Sequence, residues 1–249
     1  MRYTSYDELI WTCQDNQAMP FLMDLNGFLK AKKAKAVLLE EPVLVERDPS
    51  RDPDLSVVSD NGAAYFALDY PCSYAPLAGV FTGGEDNAFL KSLWKLSGIL
   101  ATRSYLGLEL MPVASGWSDG HMVTWPDVPR LYMRGDGGCL QVSLSYANPM
   151  SMLYREMLAK HPEKEKLDAL LASGQDLYHM VEEICRWLEG RRLEVVPPKP
   201  PKMSQRTATR IKVVRRGHMG YIRVWEPMPK RPTTTTPTSS PIQSGEAPA

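Results

Sequence analysis

Five cations and two large aromatic rings share eighteen positions, "RIKVVRRGHMGYIRVWEP", at residues 210–227. The cations are Arg210, Lys212, Arg215, Arg216 and Arg223, and the rings are Tyr221 and Trp225. These residue types suit single-stranded nucleic acid: rings stack on unpaired bases, while Arg and Lys neutralise the phosphates between them. Stacking contributes roughly 1–3 kcal/mol per base and tolerates any base sequence. Lys199, Lys202, Arg206, Lys230 and Arg231 flank the stretch and would add a salt-dependent term indifferent to base sequence.

Two strands joined by "RGHMG" would make a β-hairpin over residues 209–226, and a strand alternates its faces with period two. Tyr221, Arg223 and Trp225 then share one face, with Ile222 and Val224 on the other. On the first strand Ile211 and Val213 lie opposite Arg210 and Lys212. One face of the ribbon is aliphatic and packs on the body, and the other presents rings among cations. The same pattern also describes any half-buried hairpin, with the rings covering an acidic body and the arginines paired to its carboxylates. A slip of one residue would exchange the faces.

The formal net charge is zero, but the charges are unevenly placed. Residues 191–231 hold 12 basic and 2 acidic residues, or +10, whereas residues 1–190 hold 17 basic and 26 acidic, or −9; Glu246 supplies the remaining −1. An acidic body with a basic arm points to phosphate or to an acidic surface as partner.

Other chemistry finds little footing. Cys13, Cys72, Cys139 and Cys185 form no C-x-x-C pair, which argues against structural zinc and a disulfide framework and for reduced, mostly buried thiols. His121, His161, His179 and His218 have no metal-ligand spacing, and no phosphate-cradling loop of the Walker type occurs. Convergence of Cys139, His121 and Asp136 is fixed by nothing in the sequence, and acids such as Glu182, Glu183 and Asp69 are a weak metal signal. We therefore expect a non-enzymatic protein without cofactor or metal. The N-terminus has no leader pattern, and no run approaches eighteen apolar residues, so a soluble, cytoplasmic protein with no membrane partner is expected.

The elements that must position these residues read as α+β: an antiparallel β-sheet with packed helices, a basic C-terminal β-ribbon and a disordered tail. Ser5 with Glu8 predicts a capping box opening a helix over residues 6–18, and "FLMDLNGFLKAKKAKA" a second helix with a solvated lysine face. "VLLEEPVLVERD" reads as a strand interrupted at Pro42, and "LSVVSDNGAAYFALDY" as a hairpin turning at Asp60-Asn61-Gly62. Apolar spacing across residues 83–107 predicts an amphipathic helix built on Phe89, Leu90, Leu93, Trp94, Leu96, Ile99 and Leu100. Residues 106–146 read as β-rich; Trp117 and Trp125 there would pack in the core or extend the stacking platform. Two or three helices follow, separated at Pro162 and Gly174 and closed by Gly190. The domain plan is an acidic body at 1–190, a proline-rich connector and basic arm at 191–231, and a Pro/Thr/Ser tail at 232–249.

This layout resembles phage-encoded single-stranded DNA-binding proteins, in particular those of podophages that double as cofactors for the phage RNA polymerase. The likeness lies in an α+β body, then "RIKVVRRGHMGYIRVW", then the Pro/Thr/Ser tail, and no family residue carries over by position. The tail departs from the pattern, ending "SGEAPA" instead of an acidic run capped by Phe. The resemblance implies replication or transcription as setting and an RNA polymerase as a further partner. The expected function is single-stranded nucleic-acid binding of low specificity, DNA ahead of RNA, and it is compatible with homo-oligomers. An adaptor whose basic arm docks an acidic protein, and a metal-dependent nuclease, are the rival functions.

Overall fold

The computed structural model describes residues 4–12, 25–43, 53–72, 94–104, 107–118, 121–126, 130–133, 139–143, 164–199 and 219–225. The predicted tail at 232–249 and the first strand of the predicted ribbon lie outside them.

Helix α1 (Ser5–Thr12) opens one residue earlier than the sequence pattern implies. Thr4, not Ser5, is the N-cap: its Oγ1 accepts from Asp7 N at 3.1 Å, and Asp7 Oδ2 accepts from Thr4 N at 3.0 Å. The capping box is thus Thr4-x-x-Asp7, while Ser5 Oγ donates to Leu68 O at 3.2 Å. Helix α2 (Leu25–Ala31) ends in a Schellman motif, in which Ala34 N bonds Leu29 O and Lys33 N bonds Lys30 O.

The strands are β1 (Lys35–Leu39), β2 (Ala63–Leu68), β3 (Trp94–Ser104), β4 (Gly107–Ser118), β5 (His121–Pro126), β6 (Arg130–Met133), β7 (Cys139–Ser143), β8 (Arg192–Val196) and β9 (Tyr221–Trp225). They form one sheet in the order β7-β6-β4-β3-β2-β1-β9-β8, with β5 also paired to β4. The α+β class holds, but the sheet is mixed. The expected all-antiparallel pairing is corrected at β1, which runs parallel to both β2 and β9.

Helices cover both faces. On one, Val37, Phe66, Ile99 and Ile222 pack against Leu177, Val181, Ile184 and Leu188 of the long helix α3 (Lys164–Leu188). On the other, Ala36, Tyr65, Leu100 and Tyr221 pack against Tyr6 and Leu9 of α1 and Leu25 and Leu29 of α2. A strand buried on both sides loses its polar alternation and reads as a continuous apolar run.

That double burial explains the largest correction. The helix predicted over 83–107 is, where described, strand β3, paired with β2 and β4. A register shift between Leu96 and Gly98 puts Leu96 and Ile99, three apart, into the same core, while Leu100 enters the other. The bulge thereby counterfeits helical spacing. Three smaller corrections follow. Leu55–Val57 is a 3-10 turn, so the residues before Asp60 are no hairpin arm. Helix α3 runs unbroken through Gly174, which is buried. It ends on Gly190 at φ 70°, the C′ role foreseen for it.

Burial on α3 pushes the Cys185 thiol up to about 12, from 9.0. Its contribution to stability is complete below pH 9, the unfolded value, and is lost as pH rises towards 12. Peptide-resolved alkylation at pH 8 is expected to leave Cys185 unmodified in the native protein and to label it only in denaturant.

Candidate nucleic-acid interface

Strand β9 is no appended arm. It lies inside the sheet, antiparallel to β8 on one side and parallel to β1 on the other. The expected hairpin over 209–226 is corrected: the partner of Tyr221–Trp225 is β8, across the pairs Val196↔Tyr221 to Arg192↔Trp225. β8 and β9, on the far side of the boundary expected at 190/191, belong to the same sheet as the strands before it.

The expected face assignment on β9 matches the packing, since Tyr221 joins the core under α1 and α2 while Ile222 joins the one under α3. The role expected of Tyr221 does not follow from it. Tyr221 is 2% exposed and meets Tyr6 edge-on, with centroids 5.6 Å apart, so its faces are closed to a base. Coverage by α1 and α2 fades along the strand, leaving Arg223 half-buried, 4.0 Å from Glu40, and Trp225 44% exposed. The Trp225 indole N–H donates to Glu194 Oε2 at 2.8 Å, which fixes the ring. Arg210, Lys212, Arg215 and Arg216 lie outside the described residues.

Both roots of the segment carrying those four residues are described. At one, Lys199 N donates to Asp7 Oδ1 at 2.6 Å; at the other, Met219 N donates to Asn26 Oδ1 at 2.8 Å. Asp7 is fully buried and Asn26 nearly so. Beside the second root the Tyr6 hydroxyl donates to Met219 O at 3.3 Å, and burial, reinforced by the Asp7 carboxylate, holds that phenol well above its usual range.

Topology then adds charges that sequence reasoning treated as a solvated helix face. Ala36 is level with Tyr221, and Tyr221 with Val196, so the start of β1, the end of β8 and the start of β9 share one end of the sheet. Lys30, Lys32, Lys33 and Lys35 line the turn entering β1 there, and all are exposed. Between the two roots, residues 199–218 hold seven Lys and Arg and no acid. Two basic stretches roughly 165 positions apart in sequence thus converge on one rim. Lys33 sits at φ 52°, the left-handed C′ position that glycine normally takes. A lysine there costs about 1 kcal/mol of strain and keeps a cation on the rim.

Trp225 occupies the opposite end of β9, four residues or about 13 Å from Tyr221. It borders a cleft of about 620 Å³ with Trp187, Arg223, Glu40, Glu41 and Val43. Trp187 had no distinguishing signal in the sequence, since its spacing is that of any residue on the apolar side of α3. The acids considered for metal binding serve other ends: Glu182 accepts from Arg186 at 2.8 Å, and Asp69 accepts from Ser5 N at 2.7 Å. No helix among the described residues is long and apolar enough to cross a membrane. No protein-family model, curated protein or solved structure matches this chain.

Proposed function

We propose that this protein is a non-enzymatic binder of single-stranded nucleic acid with low sequence specificity, DNA ahead of RNA, serving phage-type replication or transcription. The observation that carries the proposal is the rim, where the lysines before β1 meet both roots of a segment with seven cations and no acid. Such a rim supplies the counterion-release part of binding, which needs no base contacts. With Tyr221 buried, Trp225 is the exposed indole of β9. A strand crossing the 13 Å from rim to Trp225 would pass the outer edge of β8 and span about four stacked nucleotides.

Fluorescence anisotropy with labelled oligothymidine, its duplex counterpart and an RNA of equal length, each at two salt concentrations, tests the proposal. Single-stranded DNA is expected to bind best and to weaken with salt. Lys32→Glu/Lys35→Glu should weaken it at least about tenfold at low salt and reduce the log–log salt slope by about 2. Failure of all three nucleic acids to bind would overturn the proposal. The burial of Tyr221 favours a second reading, in which the same rim docks an acidic protein by charge alone; equal binding of single and double strands, insensitive to Trp225→Ala, would point there.

A further inference from the structure

The cleft at the far end of the sheet has a different chemistry from the rim. Its charged lining is Glu40, Glu41 and Arg223, a formal −1, so it disfavours phosphate. Its apolar lining includes Leu38, Leu39, Pro42 and Val224. Two indoles border it. Trp187 already carries the Arg191 guanidinium, 4.4 Å from its ring centroid, which shows that a cation on an indole is a stable arrangement beside this cleft. Trp225 is one of two exposed large hydrophobics among the described residues, and its bond to Glu194 holds the ring in one orientation.

We propose that this cleft is a receptor for an extended, proline-rich, cationic peptide, and that its occupant is the chain's own continuation, residues 226–232. That continuation reads "EPMPKRP" and begins at Trp225, itself a wall of the cleft. Three prolines in seven residues favour polyproline II geometry, which has little entropy to lose and presents ring faces suited to indoles. At about 3.1 Å per residue, Lys230 reaches roughly 15 Å from Trp225. A cleft of about 620 Å³ is on the order of 9 Å across if equant, so Lys230 and Arg231 can reach Glu40 and Glu41. Docking would cover the exposed indole and balance the two carboxylates. Phosphate binding at the rim does not depend on this assignment, but the docked segment and a stacked base would compete for Trp225, so a nucleic-acid strand reaching that indole must displace residues 226–232.

The test uses the full chain and acrylamide quenching of tryptophan fluorescence, with Trp225→Phe as the background that isolates Trp225. Lys230→Glu/Arg231→Glu is expected to make Trp225 more accessible to quencher, and Glu40→Lys/Glu41→Lys to do the same. The four-residue charge swap is expected to restore the protected state. A free peptide of residues 226–232 should bind the Lys230→Glu/Arg231→Glu chain at least about tenfold more tightly than the wild type, because a tethered segment competes at millimolar effective concentration. Equal quenching in all four chains would overturn the proposal. So would quenching that depends on protein concentration, which would give the cleft to the segment of a second copy.

Discussion

Gly98→Ala is expected to destabilise the fold by about 3 kcal/mol or more, read as a lower urea midpoint at unchanged slope. A Cβ at that position would lie 2.4 Å from Cζ and Oη of Tyr65 and 2.6 Å from the Phe66 carbonyl oxygen. None of these atoms can retreat cheaply. Tyr65 is fully buried, its hydroxyl bonds Ser97 O at 3.3 Å, and Phe66 is paired to Ile99 in the sheet. Tyr65→Phe is not expected to rescue the variant, because the ring carbon and the Phe66 carbonyl remain in place. A stability change below 1 kcal/mol would show that β2 and β3 separate more easily than their register implies.

Asp7→Ala is expected to cost about 3 kcal/mol and to loosen the root of the basic segment. The carboxylate is fully buried and accepts from Thr4 N, from Thr4 Oγ1 at 2.9 Å and from Lys199 N. Hydrogen bonds to a charged group contribute about 1.5–3 kcal/mol each, and alanine strands buried donors on two separate parts of the chain. Asp7→Asn keeps one acceptor oxygen and should fall between. Urea unfolding gives the stability, and trypsin cleavage after Lys202 and Arg206, just beyond the root, should accelerate in Asp7→Ala beyond what an equally destabilised core variant shows. Cleavage rates that simply track global stability would reduce Asp7 to a helix cap.

Period-two alternation correctly grouped Tyr221, Arg223 and Trp225 on one side of β9. It is silent about how far a covering layer extends, and α1 and α2 bury the first of the three while leaving the last exposed. The strands of 106–146 and the glycine closing α3 were legible because turn chemistry and a left-handed C′ residue are local signals. β3 was not, since a bulge shifts the alternation and both faces are buried. The rim was the least legible feature. Its lysines acquire their neighbours through the parallel β1–β9 pairing, a contact between Ala36 and Tyr221 that no local pattern announces.

Where β9 sits also sets when the sheet can close. The edge of β1 that faces away from β2 remains open until Tyr221–Trp225 arrives, 185 positions after its partner at Ala36. During synthesis, β1 and β2 can pair long before that, presenting a bare, apolar parallel edge to any other nascent strand. Closure over so long a loop is slow by topology alone. Chains interrupted before residue 221 would therefore lack more than a terminal strand: they would carry an unfilled slot of β9's width, open to a strand from a neighbouring molecule.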